Sequence, residues 1–499
     1  MLLDFVYHLP IIVVLTGLLA SYLVPAISYK SKKLTGYFTL IIMAAMFGFT
    51  IMLLRQLQLR GDFTYALGGW PAPWGIEFNV DPLGVYMSLI LTGMGFIILL
   101  YATKDLDHEL SDRSLGIFYT LYLLLISSMV GLALTNDLFN IFVFLEISTM
   151  TAVAIICVKE KMETIEASLK YLILSVMASA SILMAIALLY MVTGHLNLTY
   201  IAGELSGALT EYPNVIIAAM ALFLVGFGLK SALFPMHVWL PDAHGSAPSP
   251  SSAVLSGLVI KIYALILIRL YFQVFPRDII DVIPVLEIIL WLATIGMILG
   301  SMFAIVQVDI KKMLAYSSVA QISYVFLGIS LASFPAFQGG LFHILNHAIM
   351  KSMLFLAAGV IIYTTGFRRI DRFNGMGFKL PLTMICFTIG AIGMIGIPGT
   401  SGFISKWYLA LGALEAGRPF FVLVILVSSM LNGVYYLPII VNAFFGEEDE
   451  ELKEKEMEPL PWEMKYTVAL LAFGVIFFGL FPTLPLEILE TATSIILGE

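Results

Sequence analysis

Apolar stretches of about 20 residues, each long enough to cross a bilayer as a helix, recur along the whole of this 499-residue chain. Fourteen are legible, near 9–28, 35–55, 82–102, 115–134, 137–158, 166–193, 213–234, 250–274, 283–306, 312–332, 337–363, 381–404, 419–445 and 464–481. Backbone in hydrocarbon must satisfy its own hydrogen bonds, and an apolar run of this length does so as a helix. Composition agrees, with 60% hydrophobic and 12% charged residues, against about half and a quarter in an ordinary soluble domain. The expected fold class is an all-α polytopic membrane protein with 14 transmembrane helices.

Loop charges give the orientation. With the N-terminus outside, 17 Lys and Arg fall in inside loops and 5 (Arg55, Arg60, Arg269, Arg277 and Arg418) in outside loops, as the positive-inside rule requires. A wrong number of spans would scramble that asymmetry. The expectation is a multi-pass protein of the cell membrane with both termini outside, whose first span is too long for a cleaved signal peptide. Glu447–Glu458 reads as a solvated inside connector, and the outside loop 56–81 as a cap on the outer surface. A net charge of −8 argues against nucleic acid as a partner. Cys157 and Cys386 alone cannot hold an iron–sulfur cluster or structural zinc, and no glycine-rich phosphate or dinucleotide loop is present. No cofactor is therefore expected in this chain, and ion movement would be powered by another gradient or another subunit.

The remaining four cations, Lys230, Lys261, Lys351 and Lys406, lie within the spans. Glu146 joins them, nine residues past Asp137 and so about 13 Å along a helix axis. An ionisable group at mid-bilayer costs about 2.5–3.5 kcal/mol even on a lenient scale, and five such groups on separate spans read as a proton relay. Pro235 and Pro241 interrupt the seventh span, and Pro398, Gly399 and Gly402 the twelfth. Lys230 and Lys406 stand beside these breaks, five spans apart, an odd offset that suggests inverted repeats around a transport path. His343, His347 and Lys351 are spaced by four and form one helical stripe whose imidazoles can accept and donate protons. With no third ligand nearby, that spacing does not make a metal site. His237, Asp242 and His244, in the polar connector after the seventh span, read as a water-lined proton inlet at the inside face.

Five motifs, TNDLFNIFVFLEIS, GFGLKSALFPMHVWLPDAHGSAPSPSSAVLSGLVIK, DIKKMLAYSSVAQISYVFLG, HILNHAIMKSMLF and PGTSGFISKW, occur in this order. Over roughly residues 115–440 the chain resembles the antiporter-like subunits of respiratory complex I, of Mrp-type Na⁺/H⁺ antiporters and of group 4 membrane-bound hydrogenases. The resemblance implies two inverted five-helix repeats, helices 4–8 and 9–13, with helices 7 and 12 discontinuous. The chain then divides into 1–114, the repeats 115–274 and 283–445, and 446–499. By motif, Glu146 matches the fifth-span glutamate that pairs with Lys230, and Lys261 the connecting lysine of the eighth span. His347, or its neighbour His343, matches the eleventh-span relay, and Lys406 the terminal residue beside the outward path; Lys351 is a further relay candidate. Lysine at 406, where one complex I branch has glutamate, fits the Mrp D subunit and its hydrogenase or sulfane reductase equivalent. The function implied is proton translocation by a subunit with no redox centre of its own, inside a complex I-related redox-driven assembly. The alternative is the D subunit of an Mrp-type Na⁺/H⁺ antiporter without redox chemistry. Either implies neighbouring antiporter-like and small membrane subunits as partners, with H⁺ (and Na⁺ in the alternative) as the transported ions in a lipid bilayer.

Overall fold

The computed structural model describes residues 6–276, 279–280, 283–448, 450–454, 457 and 459–498. Helices follow in the order α1 (Leu9–Lys30), α2 (Lys32–Arg60), α3 (Pro82–Glu109), α4 (Asp112–Leu134), α5 (Leu138–Cys157), α6 (Met162–Thr193), α7 (Leu198–Glu211), α8 (Pro213–Lys230), α9 (Leu240–Ser246) and α10 (Ser249–Val274). They continue as α11 (Val285–Ile305), α12 (Ile310–Leu331), α13 (Phe334–Thr365), α14 (Pro381–Ile395), α15 (Ser401–Glu415), α16 (Phe420–Phe445), α17 (Trp462–Leu480) and α18 (Thr483–Leu497). Among the described residues, 13 helices are long and apolar enough to cross a membrane.

The span expected at 381–404, with a break at Pro398, Gly399 and Gly402, is two short helices, α14 and α15, separated at 396–400. Gly396 (φ 89°) and Gly399 (φ 91°) hold left-handed backbone there, which glycine adopts without penalty, and Pro398 between them cannot donate to a helical ladder. The seventh span likewise stops at Lys230, and residues 231–239 turn before α9 begins. Expected bounds elsewhere hold to a few residues except at the ends of α2 and α3, which run on to Arg60 and Glu109, while α7 and α18 are extra helices that each bury one face, Leu198, Ile201 and Leu205 in the case of α7.

One departure from an all-α chain lies in the loop 56–81. Strands β1 (Phe63–Ala66) and β2 (Glu77–Val80) pair antiparallel, with Phe63 opposite Val80. The Glu77 carboxylate accepts hydrogen bonds from Asn136 Nδ2 and Asn197 Nδ2, both at 2.9 Å. The hairpin is thus tied to the α4–α5 turn and to the start of α7.

Two faces follow from the ion pairs. Lys32–Asp112, Lys104–Glu463, Lys159–Glu109 and Lys170–Asp242 join helix ends on a lysine-rich face, while the hairpin and the Arg418–Glu287 pair lie at the opposite one. Between them α10 is buried except at Phe272 and Gln273, and α12 and α13 are nearly all buried, whereas α6 and α16 expose Met177, Met184, Met191, Leu423 and Met430. The polar helices therefore sit at the centre and the plain apolar ones face outward.

Two loop cations of the charge count are interior residues. Arg269 ends the α-helical part of α10 and is 1% exposed, and Lys311 in the first turn of α12 is 2% exposed. Arg277, Lys455 and part of the acidic stretch 447–458 lie outside the described residues.

Candidate functional site

Glu146 lies on α5, half-buried, and accepts a hydrogen bond from Ser179 of α6. Lys230 ends α8 and is wholly buried. The α8 terminus is fixed by the indole of Trp239, whose Nε1 donates to the Leu229 carbonyl at 2.9 Å. From there Lys230 Nζ donates to Thr149 Oγ1 at 2.7 Å, one residue short of a helical turn beyond Glu146, and stands 5.6 Å from the Tyr263 ring centroid. Tyr263 bonds Ser148 Oγ at 2.9 Å. Among the described residues no ion pair joins Glu146 to Lys230: Glu146 is bonded by Ser179 of α6, while Lys230 bonds Thr149 and faces the Tyr263 ring.

Lys261 is also wholly buried, and its amine donates to the Ser256 carbonyl. Ser256 lies in a π-helical turn, 255–259; such turns widen the helix and recur at functional sites. Ser256 Oγ meets Ser318 Oγ of α12 at 2.7 Å. On α13, spacing by four stacks His343 on His347, with ring centroids 5.9 Å apart and planes 18° from parallel. His343 Nδ1 bonds Ser405 Oγ at 2.9 Å and its Nε2 bonds Gln321 Oε1 at 3.0 Å. Neither ring nitrogen of buried His347 has a partner among the described residues. One turn on, Lys351 Nζ donates to the Leu314 carbonyl at 2.7 Å.

Lys406 shows why the α14 break matters. Its amine reaches back to the last carbonyls of α14, Met394 at 2.8 Å and Ile395 at 3.1 Å, and to Ser429 Oγ at 3.0 Å. A helix end leaves such carbonyls unpaired and carries partial negative charge, so a cation belongs there. Nζ also lies 4.7 Å from the Tyr324 ring centroid, and that ring is 5.4 Å from His343. A Cβ on Gly396 would lie 2.8 Å from Lys406 Cδ. Gly396→Ala is therefore expected to displace the amine and to lower stability by roughly 1–2 kcal/mol for the left-handed backbone alone, read as an earlier thermal unfolding midpoint in detergent.

The three residues of the expected inlet occupy three settings. His237 is buried in the turn after α8, stacked on Phe234 at 5.2 Å. Asp242 is held at the lysine-rich surface by Lys170 (3.2 Å) and Lys312 (3.5 Å). His244 is wholly buried beside Phe355, with neither ring nitrogen partnered among the described residues. Reading the sequence alone passes over Asp105, Lys311 and the pair Arg269–Asp81, all buried. The i, i+4 spacing of Asp105 and Glu109 could have found the first, and the place of Arg269 within the expected span 250–274 could have found the last; nothing local marks Lys311 as interior.

Residues 135–432 match the family described as NADH:quinone oxidoreductase/Mrp antiporter, transmembrane. The chain is 38% identical over 486 residues to the NADH-quinone oxidoreductase subunit N of Desulforudis audaxviator (strain MP104C), across 95% of this chain and 96% of that one. A chain of the archaeal membrane-bound sulfane sulfur reductase superposes with a TM-score of 0.90 at 30% identity, over 98% of this chain and 97% of that one. A chain of the Mrp complex from Dietzia sp. DQ12-45-1b shares the fold, with a TM-score of 0.89 at 24% identity over 99% and 98%.

Proposed function

Because the chain belongs to the NADH:quinone oxidoreductase/Mrp antiporter family and is an antiporter-like membrane subunit of the complex I-related kind, we propose that it carries protons across the cell membrane along Glu146, Lys230, Lys261, His347, His343 and Lys406. The observation that carries this reading is the setting of Lys230, Lys261, Lys351 and Lys406. Each is buried, and among the described residues none closes an ion pair; carbonyl and hydroxyl oxygens hold their amines, with the Tyr263 and Tyr324 rings beside Lys230 and Lys406. Leaving a buried charge without a counter-charge is costly, and an amine held by neutral oxygens is free of the carboxylate that would lock its proton in place. His347, stacked between His343 and the level of Lys351, can take a proton on one nitrogen and release one from the other.

In the cycle we propose, a proton enters from inside near His237, Asp242 and His244 and reaches Lys230 and Lys261. It passes His347 and His343 to Lys406 and leaves outward past the end of α14. Lys351 branches from the same stripe. Glu146, half-buried and facing α6, senses a neighbouring membrane subunit seated on the exposed apolar side of α5 and α6, and so tunes the charge on Lys230. Residues 115–274 and 283–445 act as inverted repeats, each with one broken span and one lysine at the break. Both termini lie outside, the lysine-rich face is the inner one, and any redox cofactor belongs to other subunits. Exchange of Na⁺ for H⁺ is the second reading, favoured by the antiporter branch of the family.

Glu146→Gln in the intact complex, reconstituted in proteoliposomes, is expected to slow proton flux at least about tenfold, in the range by which a positioned acid or base contributes. Flux at the unaltered rate would sink the role of Glu146. Tracer ²²Na⁺ uptake in the same vesicles decides between the two ionic readings.

A further inference from the structure

At the lysine-rich face a second cluster of titratable side chains penetrates the interior. Asp105 of α3 and Lys311 of α12 are each 2% exposed. One turn nearer the surface, Glu109 pairs with Lys159 at 2.8 Å, and both remain partly exposed. Asp105 lies within Coulombic reach of Glu109, Lys159 and Lys311, and Lys311 within reach of Lys159, Arg368, Glu109 and Asp309. The Lys311 amine donates to the carbonyl of Ala247, three residues beyond His244. His244 in turn lies within reach of Lys311, Lys261 and Lys351.

A purely structural acid and base at this depth would close on each other. Arg269 and Asp81 do so at the opposite face, at 2.6 Å. Asp105 and Lys311 do not: among the described residues no ion pair joins them, the side-chain neighbour of Asp105 on its own helix is the neutral Tyr101 hydroxyl, and Asp105 Oδ2 and both nitrogens of His244 are left without a partner in hydrogen-bond geometry. Buried polar groups are rarely left so, and here they line up from the rim to the central lysines.

We infer that Asp105 and Lys311 form a proton-loading port that feeds His244 and, through it, Lys261 and Lys351. The inference rests on the proton path proposed above and adds an inlet on the α3 and α12 side to the one near Asp242. A proton taken up at the Glu109–Lys159 rim protonates the Asp105 carboxylate. Its O–H then breaks as an N–H forms on the neutral Lys311 amine, and that amine passes a proton to His244, which releases one from its other nitrogen. The separations exceed one hydrogen bond, so bridging water carries each transfer.

The test uses the intact complex in proteoliposomes, with thermal unfolding of each variant as a check on assembly. Asp105→Asn and Lys311→Met are expected to slow proton flux at least about tenfold, and Glu109→Gln at the rim to slow it several-fold. Asp107→Asn, two residues along and paired with Lys32 at the surface, should leave flux unchanged. Asp105→Glu should restore the rate with a shifted pH profile, which a packing role would not produce because the longer side chain would fit worse. Failure of Asp105→Glu to restore flux makes Asp105 structural and overturns the port. If Lys406→Met stops flux while Asp105→Asn and Lys311→Met run at the unaltered rate, the port is overturned and the path stands. Unaltered flux in Lys406→Met overturns the path and the port with it.

Discussion

Lys406→Met in the reconstituted complex is expected to abolish proton flux, by about 100-fold or more, the scale on which loss of a positioned proton-transfer group is felt. Methionine keeps the length and apolar stem of lysine but cannot carry a proton. The site offers no substitute: Ser429, Tyr324 and the carbonyls of Met394 and Ile395 surround the amine, and neither hydroxyls nor carbonyls can store an extra proton as an amine does. The Met394 carbonyl keeps the Asn432 Nδ2 bond at 3.1 Å, so the break between α14 and α15 should survive. We expect a stability loss of only about 1–3 kcal/mol, the penalty of an unsatisfied buried acceptor. Loss of flux with the unfolding midpoint nearly kept would separate the relay role from a capping role. Flux that persists would remove Lys406 from the path.

Asp81→Ala carries the largest expected effect on stability. Arg269 is 1% exposed and bonds Asp81 Oδ1 at 2.6 Å, with further bonds to the Ala133 carbonyl (3.1 Å) and Gln273 (3.3 Å). Asp81 also caps α3 by accepting from Gly84 N at 2.7 Å. Removing the carboxylate leaves a buried guanidinium uncompensated, which costs about 3–5 kcal/mol, and removes an N-cap worth about 1 kcal/mol. Because the pair joins the hairpin loop, the end of α4 and the outer end of α10, the loss should loosen all three. Thermal unfolding of the purified complex measures it. The double variant Asp81→Ala/Arg269→Met should recover much of the loss, since the orphaned charge is then gone; no recovery would mean that the cap and packing, not the charge, set the cost.

Most of the architecture is legible in the sequence because a bilayer makes local demands. A 20-residue apolar run must be helical wherever it packs, and so the spans at α1, α4 to α6 and α10 to α13 fall within a few residues of their expected bounds, while α2 and α3 run five and seven residues further. The interior lysines are legible for the same reason: an ionisable residue inside an apolar run stands out against its neighbours. The stripe His343, His347 and Lys351 follows from helical period alone, and the structure stacks the two rings as that period requires.

What a window of 20 residues cannot hold is which polar residues near a span's end turn inward. Lys311 and Lys312 are neighbours in one motif, yet Lys311 is buried against Ala247 while Lys312 reaches Asp242 at the surface; the 100° step between them on α12 decides, and only the packing of α9 and α10 on α12 gives that step a meaning. Arg269 reads as a loop cation until Asp81, 188 residues away, arrives beside it. The same holds for His237, Asp242 and His244, close in sequence and placed by the turn after α8 in three different surroundings. The sequence by itself determined the membrane class, the helices and the five interior charges, through hydropathy and helical period. The tertiary structure alone decided which oxygens hold each amine, that Glu146 and Lys230 bond different hydroxyls, Ser179 and Thr149, and that Lys406 closes a broken helix, because hydrogen bonds between helices depend on contacts that no local run of residues encodes.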